Sequence, residues 1–298
     1  MGRAAGKCPV NNVQIVVEDF ALSENTAASQ WSNVADDWAR WAPIRAAMIP
    51  ATQKMLDLTM VGPGSHVLDV GCGAGEQTVM AAERVGATGH VLATDIAFGM
   101  IAATEKAVQA AGYGNVSTRV CGAQELAGGE EQFDAAIARL VLMLVPDPVA
   151  AARAVFSLLR PGGAFGAIVH GNPKTNPMNR LATDILARHG GKMVDDEKSP
   201  LFKLADPARL IDVMTRAGFT DVAVSAEPAV RRMEDAKMAV TMVRESFAAC
   251  TGLIADLPPA GKEAAWAELE AAFSHFETAD GCNIPVEFNL VVGRKPVR

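Results

Sequence analysis

Residues 66–78 read His66-Val67-Leu68-Asp69-Val70-Gly71-Cys72-Gly73-Ala74-Gly75-Glu76-Gln77-Thr78. The first five form an apolar run of strand length, three glycines then turn the chain, and a helical pattern follows to Val85. Such a turn lets a ligand approach the backbone and aims N–H groups at it from the positive end of a helix. A tight turn between packed elements would look the same, so the neighbouring segments carry the decision. Residues 86–89 turn the chain again, and His90-Val91-Leu92-Ala93-Thr94 is a second strand ending at Asp95. A helix is predicted over 98–111, strands over 116–121 and 133–138, and a helix over 148–159 stopped by Arg160-Pro161-Gly162-Gly163. A fifth strand covers 164–169. Strands alternating with helices imply a parallel sheet with right-handed crossovers.

Outside this stretch the alternation loosens. Residues 25–58 read as helices, with Trp31, Val34, Trp38 and Trp41 on one apolar stripe that either packs on the core or closes over a cleft. Past His170 come a loop (172–177), a helix from 178 to about 189, and a charged loop, Asp195-Asp196-Glu197-Lys198. Asp206-Pro207 opens another helix as N-cap and first helical residue, and Gly218 ends it. A sixth strand is predicted at 222–224, two helices near 234–250 and 261–276, and a last strand at 287–292. The fold expected is α/β: a doubly wound, seven-stranded, mostly parallel sheet with its last strand antiparallel, under a helical cap. Residues 1–24 are expected to be a disordered N-terminus, 25–60 a helical lid, 61–170 a Rossmann-like core, and 171–298 cap helices plus the last two strands.

The 298 residues are half hydrophobic and one fifth charged, enough for a sizeable core. Net charge is −7 and no long basic run occurs, so a nucleic-acid partner has no electrostatic footprint. Five cysteines without CxxC spacing and five scattered histidines suggest neither a disulfide framework nor a metal site. Without an apolar leader or a membrane span, a cytoplasmic protein is expected; the oligomeric state is left open.

Asp95 stands where a carboxylate can accept both hydroxyls of a ribose lying across the sheet edge. Its spacing from the glycine loop suits either a dinucleotide or S-adenosylmethionine (SAM). The dinucleotide fingerprint G-x-G-x-x-G/A is broken, because its sixth position is Glu76. A glutamate sits badly against a pyrophosphate, whereas SAM has no phosphate and ends in a zwitterion.

Together with Ala93-Thr94-Asp95-Ile96, Phe133-Asp134-Ala135-Ala136-Ile137-Ala138-Arg139, Leu158-Leu159-Arg160-Pro161-Gly162-Gly163 and Leu204-Ala205-Asp206-Pro207, these segments resemble the class I SAM-dependent methyltransferases. The likeness is to the ubiquinone/menaquinone-biosynthesis type and its small-molecule relatives. It implies SAM as cofactor, with S-adenosylhomocysteine as product. It implies that Asp69 and the Gly71-Cys72-Gly73 backbone, with Gln77, hold the methionine end, that Asp95 binds the ribose, and that Ile96 and Met100 face the adenine. Ala123 and Gln124 would lie at the adenine edge, and Arg139 and Leu140 would face the sulfonium and the substrate. Many relatives carry Asp where this chain has Gly122, which leaves Gln124, Glu125 or a water for the adenine amino group.

The resemblance implies transfer of a methyl group to a C, O or N atom of a small, hydrophobic molecule of quinol, polyketide, terpenoid or similar type. Trp31, Trp38, Trp41, Met178, Phe202 and Met242 are candidate lining of its chamber, or ordinary packing residues. His170, ending the fifth strand, is the one candidate for a general base, and a structural histidine is its other reading. The competing functions are an NAD(P)-dependent oxidoreductase and a catalytically inactive SAM-binding subunit.

Overall fold

The computed structural model describes residues 24–126, 132–193 and 199–297. The N-terminal residues expected to be disordered and the acidic loop 195–198 thus fall wholly or largely outside the described residues. Helices α1 (Glu24–Asn33), α2 (Ala35–Arg40), α3 (Ala42–Arg45) and α4 (Ile49–Leu58) precede β1 (His66–Val70). The core continues through α5 (Glu76–Val85), β2 (His90–Asp95), α6 (Phe98–Ala110), β3 (Val116–Val120), β4 (Phe133–Arg139), α7 (Pro148–Leu158) and β5 (Leu159–His170). Then follow α8 (Pro177–His189), α9 (Pro207–Ala217), β6 (Thr220–Met233), α10 (Ala236–Ser246), α11 (Ala248–Leu253), α12 (Pro259–Phe273), β7 (Glu277–Thr278) and β8 (Gly281–Arg294).

Seven strands lie in the order β3-β2-β1-β4-β5-β8-β6, with the two-residue β7 pairing β8 alone. Strands β1 to β5 are parallel, and β8 runs antiparallel to both β5 and β6. This is the doubly wound, mostly parallel sheet expected, with its last strand reversed. The central strands β1, β2 and β4 are nearly continuous buried apolar runs because helices cover both faces. The order reverses between β1 and β4, which opens a crevice at the carboxyl ends of the strands. Helix α9 starts as its sequence dictates: Asp206 Oδ1 accepts from Ala208 N at 2.9 Å, Pro207 takes the first helical position, and Gly218 closes the helix at φ 110°.

Three expectations need correction. Strand β5 begins at Leu159, so the segment Arg160-Pro161-Gly162-Gly163 is the irregular start of a strand: Leu159 already pairs with Phe133, and Gly162 N donates to Lys295 O. Strands β6 and β8 are 14 residues each and pair from Thr220↔Arg294 to Met233↔Cys282. Pro228 and Pro285 hid this length, because a proline in a short window reads as a break; here each sits within the ribbon opposite a partner that completes the pairing. Finally, the tryptophan stripe is not continuous. Non-helical residues at Val34 and Trp41 divide it among three short helices. Trp31 and Trp38 meet edge to face at 5.6 Å and pack with Val34 on Ile96, Ala97 and Met100. Trp41 turns the other way, into the apolar cluster of α8, α10 and α12.

Candidate functional site

A cavity of about 900 Å³ opens at the carboxyl edge of the sheet. It runs from the loop between β1 and α5, past the ends of β2, β4 and β5, to the underside of α8, α10 and α11. On the glycine side, Gly71 (φ 65°), Gly73 (φ 57°) and Gly75 (φ 87°) hold left-handed conformations, and Gly71, Cys72, Gly73 and Ala74 form the wall. A Cβ on Gly71 would run into the side chain of Val141, and one on Gly75 would come within 2.9 Å of Thr104 Cα.

Asp95 stands beside this loop, 8% exposed. Its Oδ2 accepts from Gly73 N at 3.0 Å and its Oδ1 from Ala97 N at 2.9 Å, so it fixes the loop to the start of α6 while keeping a face on the cavity. Burial pushes its carboxyl above the ordinary value, opposed by these backbone donors. Ile96, Met100, Ala123 and Gln124 continue the wall. Glu125 is committed elsewhere, its Oε2 accepting from Gly122 N at 3.1 Å, which leaves Gln124 as the polar side chain on the wall at this edge.

Asp69 departs from its expected place. It is fully buried beneath the loop, bonded by Gln77 Nε2 and by Thr78 Oγ1 at 2.6 Å, and is not part of the cavity wall. Burial pushes it up to about 7, against the pull of those two donors. Its carboxylate orients α5 and Gln77, and Gln77 reaches the wall in its stead.

Across the crevice, β4 ends at Arg139, and Leu140 takes the left-handed φ of 60°. A residue other than glycine pays about 1–2 kcal/mol there. The turn folds Val141, Met143, Leu144 and Val145 over the cavity. Arg139 lines the cavity, yet its guanidinium is engaged: it pairs with Glu76 and donates to Thr52 Oγ1 at 3.3 Å. Glu76 also pairs with Arg45, which is 3% exposed and lies over the Trp38 ring at 4.2 Å. The charge of Glu76, which spoke against a pyrophosphate, is therefore taken up by two arginines, and Glu76 itself is off the wall.

His170 lies at the edge of β5, 4% exposed, stacked on Phe288 at 5.7 Å and tilted against Phe202 at 6.1 Å. Burial, and then the charge of Arg231, push its imidazole down to about 3. It is neutral near pH 7, and its Nδ1 is buried without a partner.

Of the six expected substrate and lid residues, Trp31, Trp38 and Met242 line the cavity. Trp41, Met178 and Phe202 do not: Trp41 Nε1 donates to Glu245 Oε2 at 2.8 Å, Met178 is packed in the core of the cap, and Phe202 supports His170. Sequence reasoning missed Arg45, Val141, Asn179, Thr183 and Arg231, all on the wall. For Arg231 there was one signal, a cationic pair inside an otherwise strand-like apolar segment; for the others there was none.

A methyltransferase-domain family model matches residues 62–197. Nocamycin O-methyltransferase of Saccharothrix syringae is 40% identical over 117 residues, 39% of this chain and 42% of that protein. The ubiquinone/menaquinone biosynthesis C-methyltransferase of Vibrio cholerae is 30% identical over 176 residues, 55% of this chain and 67% of that one. The chain thus matches less than half the length of the first relative and two thirds of the second. The structure of the [4+2]-cyclase SpnF superposes with a TM-score of 0.52 at 21% identity, covering 84% of this chain and 81% of that one, a likeness of fold. The chain belongs to the class I SAM-dependent methyltransferases. Among the described residues no helix is long and apolar enough to cross a membrane.

Proposed function

We propose that this chain transfers a methyl group from SAM to a C, O or N atom of a small, largely apolar organic molecule held between the sheet edge and the cap. The observation that carries this reading is one continuous cavity, with the glycine loop and Asp95 at one end and the cap helices at the other. Its volume lies near the top of the range for small-molecule sites, which suits a cofactor and a second molecule together. The activities for which the relatives are named, O-methylation and C-methylation, support the reaction class and differ in the acceptor atom.

The residues present fit the cofactor. The Gly71-Cys72-Gly73 backbone leaves room for a close approach, Asp95 offers its carboxylate to the ribose hydroxyls, and Met100 and Ile96 give an apolar seat for the adenine beside Gln124. Bound there, SAM supplies an electrophilic methyl group on its sulfonium. The protein's share is alignment and exclusion of water. Trp31 and Trp38 close one side, and the turn after Leu140 closes another. Asp95→Ala is expected to weaken SAM binding by about 1.5–3 kcal/mol, the range for hydrogen bonds to a charged group. Titration calorimetry reads it; an unchanged dissociation constant would make Asp95 a turn acid only.

His170 is a poor general base, since an imidazole held near 3 has little affinity for a proton. His170→Gln should lower kcat by less than about tenfold, where general-base help is worth about 10²–10⁴-fold. A thousandfold loss at unchanged SAM affinity would assign it the acceptor's proton. The same burial has a stability signature. The unfolded histidine takes its proton near 6.5 and the folded one only near 3. His170 therefore favours the folded state fully above pH 6.5, and that contribution is lost as pH falls from 6.5 toward 3. Acid unfolding of the His170→Gln variant should accordingly begin at lower pH than in the wild type, as followed by circular dichroism.

The lid reading has its own check. Trp38→Ala removes the ring beneath Arg45 and part of the wall beside Gly73. Tighter or equal SAM binding in that variant would refute a role in closing the cofactor end; the expected outcome is a loss of about tenfold, the effect of about 1.4 kcal/mol of apolar wall withdrawn from the bound cofactor.

A further inference from the structure

Beyond its carboxyl edge the sheet continues as the β6–β8 ribbon. His170, the last residue of β5, pairs with Phe288, and Phe288 pairs with Glu227, so β6 runs six more residues to Met233. Alternation along β6 places Arg231 on the same face as Glu227, which is the face carrying Phe288 and His170. Arg231 is 5% exposed and lines the cavity under α8. Its Nη1 meets Asn179 Oδ1 at 3.3 Å and Met178 Sδ at 3.8 Å, both neutral acceptors. Among the described residues no carboxylate pairs with it. Glu76, which pairs with Arg45 and Arg139, is already shared between those two.

A guanidinium withdrawn from water without a counter-charge is costly, and proteins rarely leave one so. A further observation points to a ligand: His170 Nδ1 is buried without a partner on the wall of the same cavity, to which α8 also brings Asn179 and Thr183. Much of this half is apolar, with Met48, Met242, Phe247 and Leu253 beside Ser199 and Ser246. Arg45 and Arg139 share Glu76, whereas Arg231 has no acidic partner among the described residues, so the cap end of the wall carries an uncompensated positive charge.

We propose that the second ligand of this cavity is an apolar molecule bearing a delocalised oxyanion, in its simplest form a carboxylate, which pairs with Arg231 at the cap end. The guanidinium presents a planar fork that a carboxylate can accept in two parallel hydrogen bonds. His170 lines the same cavity as a neutral imidazole. The anion replaces the solvent that Arg231 lost on folding, and the apolar body of the ligand covers the methionine-rich wall. This inference rests on the methyltransferase reading, which names the other half of the cavity as the cofactor's.

The test uses the full chain saturated with S-adenosylhomocysteine and titrated in a calorimeter with octanoate and, separately, with the neutral octanamide. Octanoate is expected to bind at least about tenfold more tightly, the effect of one charge-assisted pair. Arg231→Met should erase that preference, Arg231→Lys should retain part of it, and both should bind S-adenosylhomocysteine as the wild type does. Ligand-free Arg231→Met should also melt at a higher temperature, because an apolar side chain of similar length relieves an unpaired buried charge; an arginine that merely ties β6 to α8 would melt lower on its removal. Equal binding of the two ligands, no binding of octanoate, or a preference that survives in Arg231→Met would overturn the proposal. Failure of the wild type to bind S-adenosylhomocysteine would instead overturn the cofactor reading, and is seen before any octanoate is added.

Discussion

A Gly71→Ala variant is expected to lose at least about a hundredfold in affinity for SAM, equivalent to about 2.7 kcal/mol. Two penalties combine. Gly71 holds φ 65°, which costs a residue with a Cβ about 1–2 kcal/mol. The new methyl group also strikes the Val141 side chain, which belongs to the turn that folds over the cavity from β4. The loop cannot yield toward its own sheet, because Asp95 holds Gly73 N and the Cys72 N–H is bonded to Thr94 O at 2.9 Å. Relief must come from displacement of Val141 or of the loop, and either one distorts the cavity wall proposed to seat the cofactor. Calorimetric titration with SAM measures the loss. Gly62→Ala is the control: a Cβ there meets nothing within 4 Å, so it should bind SAM unchanged. Equal affinities in the two variants would mean that the β1–α5 loop is no part of the cofactor site.

Glu76→Ala is expected to destabilise the fold by about 3–5 kcal/mol, the cost of leaving buried charges without their partner. Glu76 is the carboxylate between Arg45 and Arg139, whose side chains are 3% and 8% exposed. Burial already pushes the Arg45 guanidinium down, and Glu76 is what opposes it. Without the carboxylate, two nearly buried cations repel, and Arg45 Nη1 lacks a partner even in the wild type. The triad joins three distant pieces of chain, α3, α5 and the end of β4, so its loss should loosen the N-terminal helices from the core. A denaturant-unfolding series gives the magnitude. A change below about 1 kcal/mol would show that water reaches the triad and that its charges are solvated. The triple variant Arg45→Met, Glu76→Leu, Arg139→Met should recover much of the stability, since a buried ion network replaced by apolar groups of similar size is often neutral. It should not recover SAM binding.

Both expectations involve partners far apart in the chain, which bears on how much could be read beforehand. The strand–turn–helix at 66–85 was legible because every determinant lies within it: an apolar run, three glycines where positive φ is needed, and a helical pattern starting at once. Asp95 was legible for a like reason, a carboxylate at the end of the next apolar run. Asp206-Pro207 and Gly218 delimit α9 by local capping. The parallel direction of the core strands follows from the alternation, since helices joined by right-handed crossovers return each strand the same way. Family and fold class were therefore legible in contiguous residues.

Tertiary structure decided the rest. Nothing local assigns Glu76 to Arg45, 31 residues before it, and to Arg139, 63 residues after it, rather than to the cavity. The tryptophans share a helical period, but Trp41 is drawn to Glu245 and the cap, 204 residues away, while Trp31 and Trp38 stay with α6. Asp69 has the residue type of a binding group and the position of a strut, because the pleat turns it under the loop toward Gln77 and Thr78. Arg231 gained its place only when β6 and β8 paired through Pro228 and Pro285 and carried it past the sheet edge. Sequence by itself determined the order of the core elements and the glycine-rich loop between β1 and α5, since those backbone conformations are set by near neighbours. Which charges are buried, which of them are paired, and what the far end of the cavity can hold were decided by packing between segments that only the fold brings together.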